Sequence, residues 1–299
     1  MRALGCQTRA KALPTTGVDL IAALLLGLVQ GATEFLPVSS SGHLALGQAV
    51  LGTGEADLLF DIILHVGTLL AVCAVYHRDV VSVCTGGFQG VRALLTGQGI
   101  AAALRPEGAR LAVLVAVATI PTGIIGVVID KTIGSVGPTF VGTLLIINAA
   151  ILVVSKTRPR GFLAPSGPLS LWQIGLLGAL AIGIAQGIAV FPGLSRSGMT
   201  ITACLLVGAV REDAARFSFL LSIPAILGAL VLKFDTSLFT GADPERLLRF
   251  GVGAAVAAIS GYVCLRLLIA VLRRAAFHHF AWYCLAVGIT AILWDQFAT

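Results

Sequence analysis

Apolar residues run along this chain in long blocks instead of alternating with polar ones. The blocks at about Leu58–Val75, Leu111–Ile129, Phe140–Val154, Phe217–Leu232, Phe250–Leu272 and Phe280–Trp294 are nearly free of charge. At a rise of about 1.5 Å per residue they approach the length that crosses ~30 Å of hydrocarbon. They predict six transmembrane helices. Residues 80–108 form a mixed, Gly- and Arg-containing connection that reads as an amphipathic helix. Residues 155–169 carry three cations and three prolines, so no helix continues through that polar linker.

Two further apolar stretches, Val18–Phe35 and Gln173–Phe191, each run into a break rich in Pro, Ser and Gly. Apolar character then resumes only to about Leu51 and Val210. A helix broken at membrane depth needs other partners for its freed backbone groups, which only protein or a wet cavity supplies. The two breaks repeat each other. Gly27–Gly42 aligns without gaps on Gly183–Gly198, an offset of 156, with seven identities in sixteen positions. Composition alone does not place glycines and serines in that order. With three spans between the repeats, the second enters the membrane from the opposite face. The fold class expected is an all-α integral membrane protein, with six transmembrane spans plus two re-entrant broken helix pairs in inverted repeats. Residues 1–17 read as a flexible leader without a cleavage site. Residues 18–298 read as one membrane domain, repeat one covering about 18–155 and repeat two about 170–298.

Composition supports that picture. Of 299 residues, 57% are hydrophobic and 11% charged, and mean hydropathy is +0.98. Those values exclude a disordered chain, a coiled coil and an ordinary soluble enzyme. The net charge of +6 reads as loops facing anionic lipid, since no basic run interleaved with aromatics suggests nucleic acid. One face gathers eleven Lys and Arg in its loops against seven on the other, so the richer face is expected to be cytoplasmic and both termini outside. Six scattered Cys form no C-x-x-C pair and predict neither disulfide nor zinc. The sequence leaves a homodimer open.

The chemistry concentrates at the breaks. In the first, Gln30 and Glu34 are i,i+4 and share a helix face. A carboxylate at membrane depth is a functional candidate by default. Ser39, Ser40, Ser41 and Gly42 then open the next helix, whose unpaired N–H groups and partial positive charge suit phosphate. His43 follows within one turn of Ser40. The second break brings another helix start, Ser195, Ser197 and Thr200, together with Arg196, whose planar fork suits phosphate oxygens. Two such cradles suit a ligand with two phosphates. Glu34 would repel it unless a divalent cation, Mg2+ or Ca2+, lay between, with Gln30 as a weak neutral ligand. These residues point to a phosphorylated or pyrophosphorylated lipid held in the bilayer. Asp61 and His65, also i,i+4, either line the cavity mouth or pair with each other. Asn148, Thr119-Ile-Pro121 and Ser222-Ile-Pro224 read as interhelical hydrogen bonds and kinks.

From Val18 to Ala298 the chain resembles the undecaprenyl-diphosphatase family, the bacterial bacitracin-resistance membrane phosphatases. The likeness rests on Gln30…Glu34-Phe-Leu-Pro-Val-Ser-Ser-Ser-Gly-His43 and on Pro192-Gly-Leu-Ser-Arg-Ser-Gly-Met-Thr200. Position 30 departs from it, since many members carry a second Glu there. The resemblance implies hydrolysis of a polyprenyl diphosphate lipid to the monophosphate, recycling the cell-wall lipid carrier. It also implies a bacterial inner-membrane location, a site opening to the periplasm, and functional positions at Glu34, Ser40, His43 and Arg196. Ser40 is the expected nucleophile with His43 as its base; the alternative makes His43 the nucleophile. Acid-phosphatase-type lipid phosphatases are excluded, because the His and Asp they need after Arg196 are Thr202 and Leu206 here. The rival function is transport, an inverted-repeat flippase or carrier of a polyprenyl phosphate or another anion.

Overall fold

A computed structural model of the chain describes residues 18–51, 58–134, 136–156, 173–233 and 243–298. The predicted leader and residues 157–169 of the predicted linker lie outside them. The described residues are all-helical. The first half of the chain holds α1 (Leu20–Glu34), α2 (Ser40–Leu51), α3 (Leu58–Val75), α4 (His77–Leu95), the single turn α5 (Ile100–Ala103), α6 (Glu107–Thr132) and α7 (Pro138–Val154). The second half holds α8 (Gly175–Ile188), α9 (Arg196–Leu206), α10 (Arg211–Lys233), α11 (Pro244–Arg273) and α12 (Phe280–Ala298), with a 3-10 turn at Phe277–His279 before α12.

Four helical segments among these residues are long and apolar enough to cross a bilayer: Glu107–Thr132, Arg211–Leu232, Pro244–Arg273 and Phe277–Phe297. A fifth arises if α3 and α4, bent by 86° across Tyr76, count as one broken span. The expected connection at 80–108 is thus mostly the regular helix α4. Its small residues Gly86, Gly90 and Ala93 are buried, Gly86 against Gly108 and Ala109 of α6. Phe88, Val91 and Leu95 stay exposed, a face suited to lipid. α7 has 17 residues, about 25 Å at 1.5 Å each, and is shorter than the hydrocarbon core.

The halves interlock. α1 packs on α11 and α8 on α6, while α7 packs on α12. Equivalent glycines make the first two contacts close. A Cβ on Gly27 would stand 2.5 Å from the Gly253 carbonyl oxygen, and one on Gly183 would collide with the Ala118 carbonyl. The third contact is reciprocal: a Cβ on Gly142 would meet the Gly288 carbonyl oxygen at 2.6 Å, and one on Gly288 the Gly142 carbonyl oxygen at 2.7 Å. Small residues there let helix backbones approach as apolar surroundings require.

The polar residues read as interhelical bonds divide. Asn148 does bond across helices. Thr119 and Ser222 instead bond back to Val115 and Phe219 within their own helices. Thr122, which carried no signal of its own, is the residue that crosses, donating to the Gly183 carbonyl at 2.9 Å. Pro121 beside it leaves the Val117 carbonyl without its usual helical donor.

Candidate functional site

α1 stops at Glu34 because Pro37 lacks an N–H and disfavours helix in the residue before it. The chain turns through 35–38 and reaches Ser39 at φ 69, a left-handed conformation rare outside glycine. Tertiary bonds hold it there. The Ser39 Oγ accepts the Gly42 N–H at 3.2 Å, capping α2, and the Gly193 N–H at 3.1 Å from the other break. Gly193 has φ 108, and a Cβ on it would lie 2.6 Å from the Val141 carbonyl oxygen, so only glycine fits. In the second break the Ser195 Oγ accepts the Gly198 N–H at 3.1 Å and caps α9.

Asn148 of α7 joins the two breaks. Its Nδ2 donates to the Pro37 carbonyl at 2.9 Å, and its Oδ1 accepts the Ser195 N–H at 3.1 Å. The Ser197 hydroxyl adds a bond to the Leu36 carbonyl at 3.2 Å. Backbone freed at the two breaks is therefore satisfied partly by the opposite break and partly by Asn148, which answers the membrane's demand for internal hydrogen bonding.

Glu34 stands at the meeting point, 5% exposed. Its Oε1 pairs with Nη2 of Arg196. Its Oε2 accepts the Ser40 hydroxyl at 2.6 Å and Gln30 Nε2 at 2.8 Å, and lies 3.6 Å from His65 Nε2. A buried carboxylate without such partners would be strongly unfavourable. Two buried atoms of the cluster have no hydrogen-bond partner, Arg196 Nη1 and Gln30 Oε1. The first is a donor suited to an anion and the second an acceptor suited to a cation. This donor set fits a divalent ion that keeps water and takes substrate phosphate, since Mg2+ is commonly held by one or two carboxylates. No group of three His, Cys, Asp or Glu gathers as a metal cage among the described residues.

His43 lies on the same helix as Ser40 but turns elsewhere. Its Nδ1 is 2.8 Å from the Ser39 carbonyl, which can only accept, so Nδ1 carries the proton. In the neutral ring Nε2 therefore holds the lone pair and accepts the Tyr283 hydroxyl at 2.9 Å. The two rings are near parallel at 5.6 Å. Tyr283 also walls two apolar cavities along α12. One, of about 500 Å3, includes Thr33, Leu36, Val38 and Phe280. The other, of about 490 Å3, includes Leu46, Val50, Val287 and Trp294.

The structure thus brings Gln30, Glu34, Ser40 and Arg196 into one hydrogen-bonded cluster. It does not hydrogen-bond His43 to Ser40. Ser39, Ser195 and Ser197 serve as caps and cross-links, and Ser41 lies 3.4 Å from the Ser39 hydroxyl. The Thr200 hydroxyl is taken by the Arg196 carbonyl and by Ser218. The N–H of Gly42 is occupied by its cap. His65 Nδ1 donates to the Asp61 backbone carbonyl at 2.7 Å, while the Asp61 carboxylate accepts from Gln48. Asn148 was read only as an interhelical hydrogen bond, not as the link between the two breaks, and Tyr283 left no trace in the sequence reading because it lies near no motif.

A buried carboxylate, a guanidinium with one unpartnered nitrogen and two capped helix starts, set among apolar helices long enough to cross a membrane, form a site whose chemistry suits an anionic headgroup. Residues 23–290 match the family model of the bacitracin resistance protein BacA, and the chain belongs to that family. It is similar to proteins named undecaprenyl-diphosphatase. One from Desulfatibacillum aliphaticivorans is 41% identical over 90% of this chain and 96% of its own length. One from Methanosphaera stadtmanae is 40% identical over 92% and 98%. One from Geotalea daltonii is 36% identical over 94% and 100%.

Proposed function

We propose that this chain is an undecaprenyl-diphosphate phosphatase, hydrolysing the lipid diphosphate to undecaprenyl phosphate and inorganic phosphate and so supporting bacitracin resistance. The observation that carries the reading is the Glu34–Arg196 pair, with the second guanidinium nitrogen unpartnered and facing no protein acceptor. An incoming phosphate satisfies that donor and releases Glu34 from Arg196. The shared name of the relatives favours hydrolysis over the transport alternative.

In this reading Arg196 grips the terminal phosphate and the free amides of the helix starts hold the bridging region. Glu34 with Gln30 would hold a divalent cation, Mg2+ or Ca2+, which would supply positive charge to offset that of the phosphate oxygens. Ser40 attacks the terminal phosphorus, the bond to the bridging oxygen breaks, and the lipid monophosphate leaves. The Ser40 proton passes first to Glu34, its hydrogen-bond acceptor. His43 Nε2 then takes a proton from the attacking water, the Ser40 O–P bond breaks, and Glu34 returns its proton to the Ser40 oxygen. The cavity beside Leu36, Val38 and Tyr283 receives the first isoprenoid units.

The six-span arrangement with two re-entrant pairs in inverted repeats belongs to the same proposal, with α7 as a short span and α3–α4 as a bent one. The cation-rich loops face the cytoplasm of a bacterial inner membrane, and the site opens to the periplasm. Phosphate release from undecaprenyl diphosphate by the detergent-solubilised chain tests the function. Vesicle assays showing lipid movement with no phosphate release would overturn it in favour of a carrier.

A further inference from the structure

We propose that His65 is a ligand of the divalent cation at Glu34, and that it turns the site toward a metal that accepts nitrogen, such as Mn2+, over Ca2+. The use of that cation rests on the phosphatase reading; the binding does not.

His65 belongs to α3, outside both broken helices. Its Nδ1 lies 2.7 Å from the Asp61 backbone carbonyl. A carbonyl only accepts, so Nδ1 carries a proton, and in the neutral form of the ring Nε2 presents a lone pair. That atom lies 3.6 Å from Glu34 Oε2, too far for a hydrogen bond. In that form two lone-pair atoms face each other across the gap and repel unless something positive lies between them. Metal–donor bonds are about 2.0–2.2 Å, so a single ion reaches both atoms without moving either. A ring fixed through Nδ1 by a backbone carbonyl is the arrangement that orients metal-ligating histidines.

Gln30 supplies the second observation. It is fully buried, its Nε2 donates to the same Glu34 Oε2 at 2.8 Å, and its Oε1 has no partner. Without a cation the amide must present N–H to the carboxylate. A half-turn of the amide exchanges the two atoms and brings Oε1 to the same point. Carboxylate, imidazole and amide oxygen then converge on one position. With a neutral Gln at 30, a third donor offsets the carboxylate that is lacking. Imidazole favours later first-row metals, whereas Ca2+ prefers an all-oxygen set.

The test is Mn2+ binding to the full chain in detergent, followed by the EPR signal of free Mn2+ and by spin-echo modulation from an imidazole nitrogen. Wild type should show one site with nitrogen modulation. His65→Ala should lose the modulation and weaken Mn2+ by at least about tenfold, with Ca2+ affinity little changed. His43→Ala should keep both signals, and Glu34→Gln should lose the site. Monodisperse elution and an unchanged melting temperature exclude misfolding of His65→Ala. If His65 is instead an imidazolium partner of Glu34, its removal leaves Mn2+ binding equal or tighter, and the proposal fails. Nitrogen modulation that persists in His65→Ala also overturns it. A protein that binds Mn2+ through His65 yet releases no phosphate would sink the phosphatase reading and leave the ligand assignment standing.

Discussion

Arg196 closes on Glu34 from 162 residues away, one guanidinium nitrogen on the carboxylate and another left without a partner. The pair joins the start of the second repeat's α9 to the end of the first repeat's α1. Arg196→Lys keeps the charge but loses the fork, which must hold carboxylate or phosphate bidentately. We expect turnover to fall by about a hundredfold or more, as for other lost anion donors, with the protein still folded. Steady-state kinetics on the purified variant checks this, and near-normal turnover would reduce Arg196 to a structural ion pair.

Chelation addresses Glu34. EDTA should abolish phosphate release, and added divalent metal should restore it. Glu34→Gln should stay inactive at every metal concentration tried, since the neutral amide offers no charge to hold the ion. Full activity in EDTA would remove the cation from the mechanism.

Ser40 and His43 make different covalent intermediates. A trapped phosphoenzyme should be acid-stable as phosphoserine and acid-labile as phosphohistidine. Ser40→Ala should abolish labelling if Ser40 attacks. Label on His43 in that variant would transfer the nucleophile to the Nε2 lone pair, which in the structure accepts the Tyr283 hydroxyl.

Tyr283→Phe removes the hydroxyl that His43 Nε2 accepts and keeps the ring against both cavities. A hydrogen bond contributes about 0.5–1.5 kcal/mol, so kcat should change by roughly two- to tenfold. KM should stay within about twofold because the apolar wall is intact. Tyr283→Ala opens one cavity into the other and should raise KM as well. Equal kcat in wild type and Tyr283→Phe would show that the hydroxyl does not position His43.

Gly193→Ala places a Cβ at φ 108 and against the Val141 carbonyl. Strain and collision together should cost about 2–4 kcal/mol. A lowered melting temperature in detergent is the measure. Ser39, which accepts the Gly193 N–H, should lose its orientation in the same variant, so activity should fall with stability.

Much of this was written locally. Apolar blocks, prolines and capping serines placed the helices, because a helix closes its bonds within four residues and a proline interrupts them wherever it falls. The breaks at 35–39 and 189–195 and their repetition needed no tertiary information. Nor did the choice of Glu34 and Arg196, since a charge among apolar residues needs a partner. What α4 became was less legible: its glycines bury against α6 while its apolar side faces outward, and periodicity alone does not say which face a neighbour takes. The partners themselves were decided only in three dimensions. Gly27 on Gly253 and Gly183 on Ala118 bring the halves together, and that packing sets Arg196 beside Glu34, His65 Nε2 toward the same carboxylate, and Tyr283 on His43. Although Gln30 and Gln186 are equivalent in the repeat, position 190 is Val where 34 is Glu, so only one break carries the carboxylate. A chain specifies which side chains it owns and how its backbone turns; which of them meet depends on helix contacts hundreds of residues apart, whose close approach is a property of the packed whole.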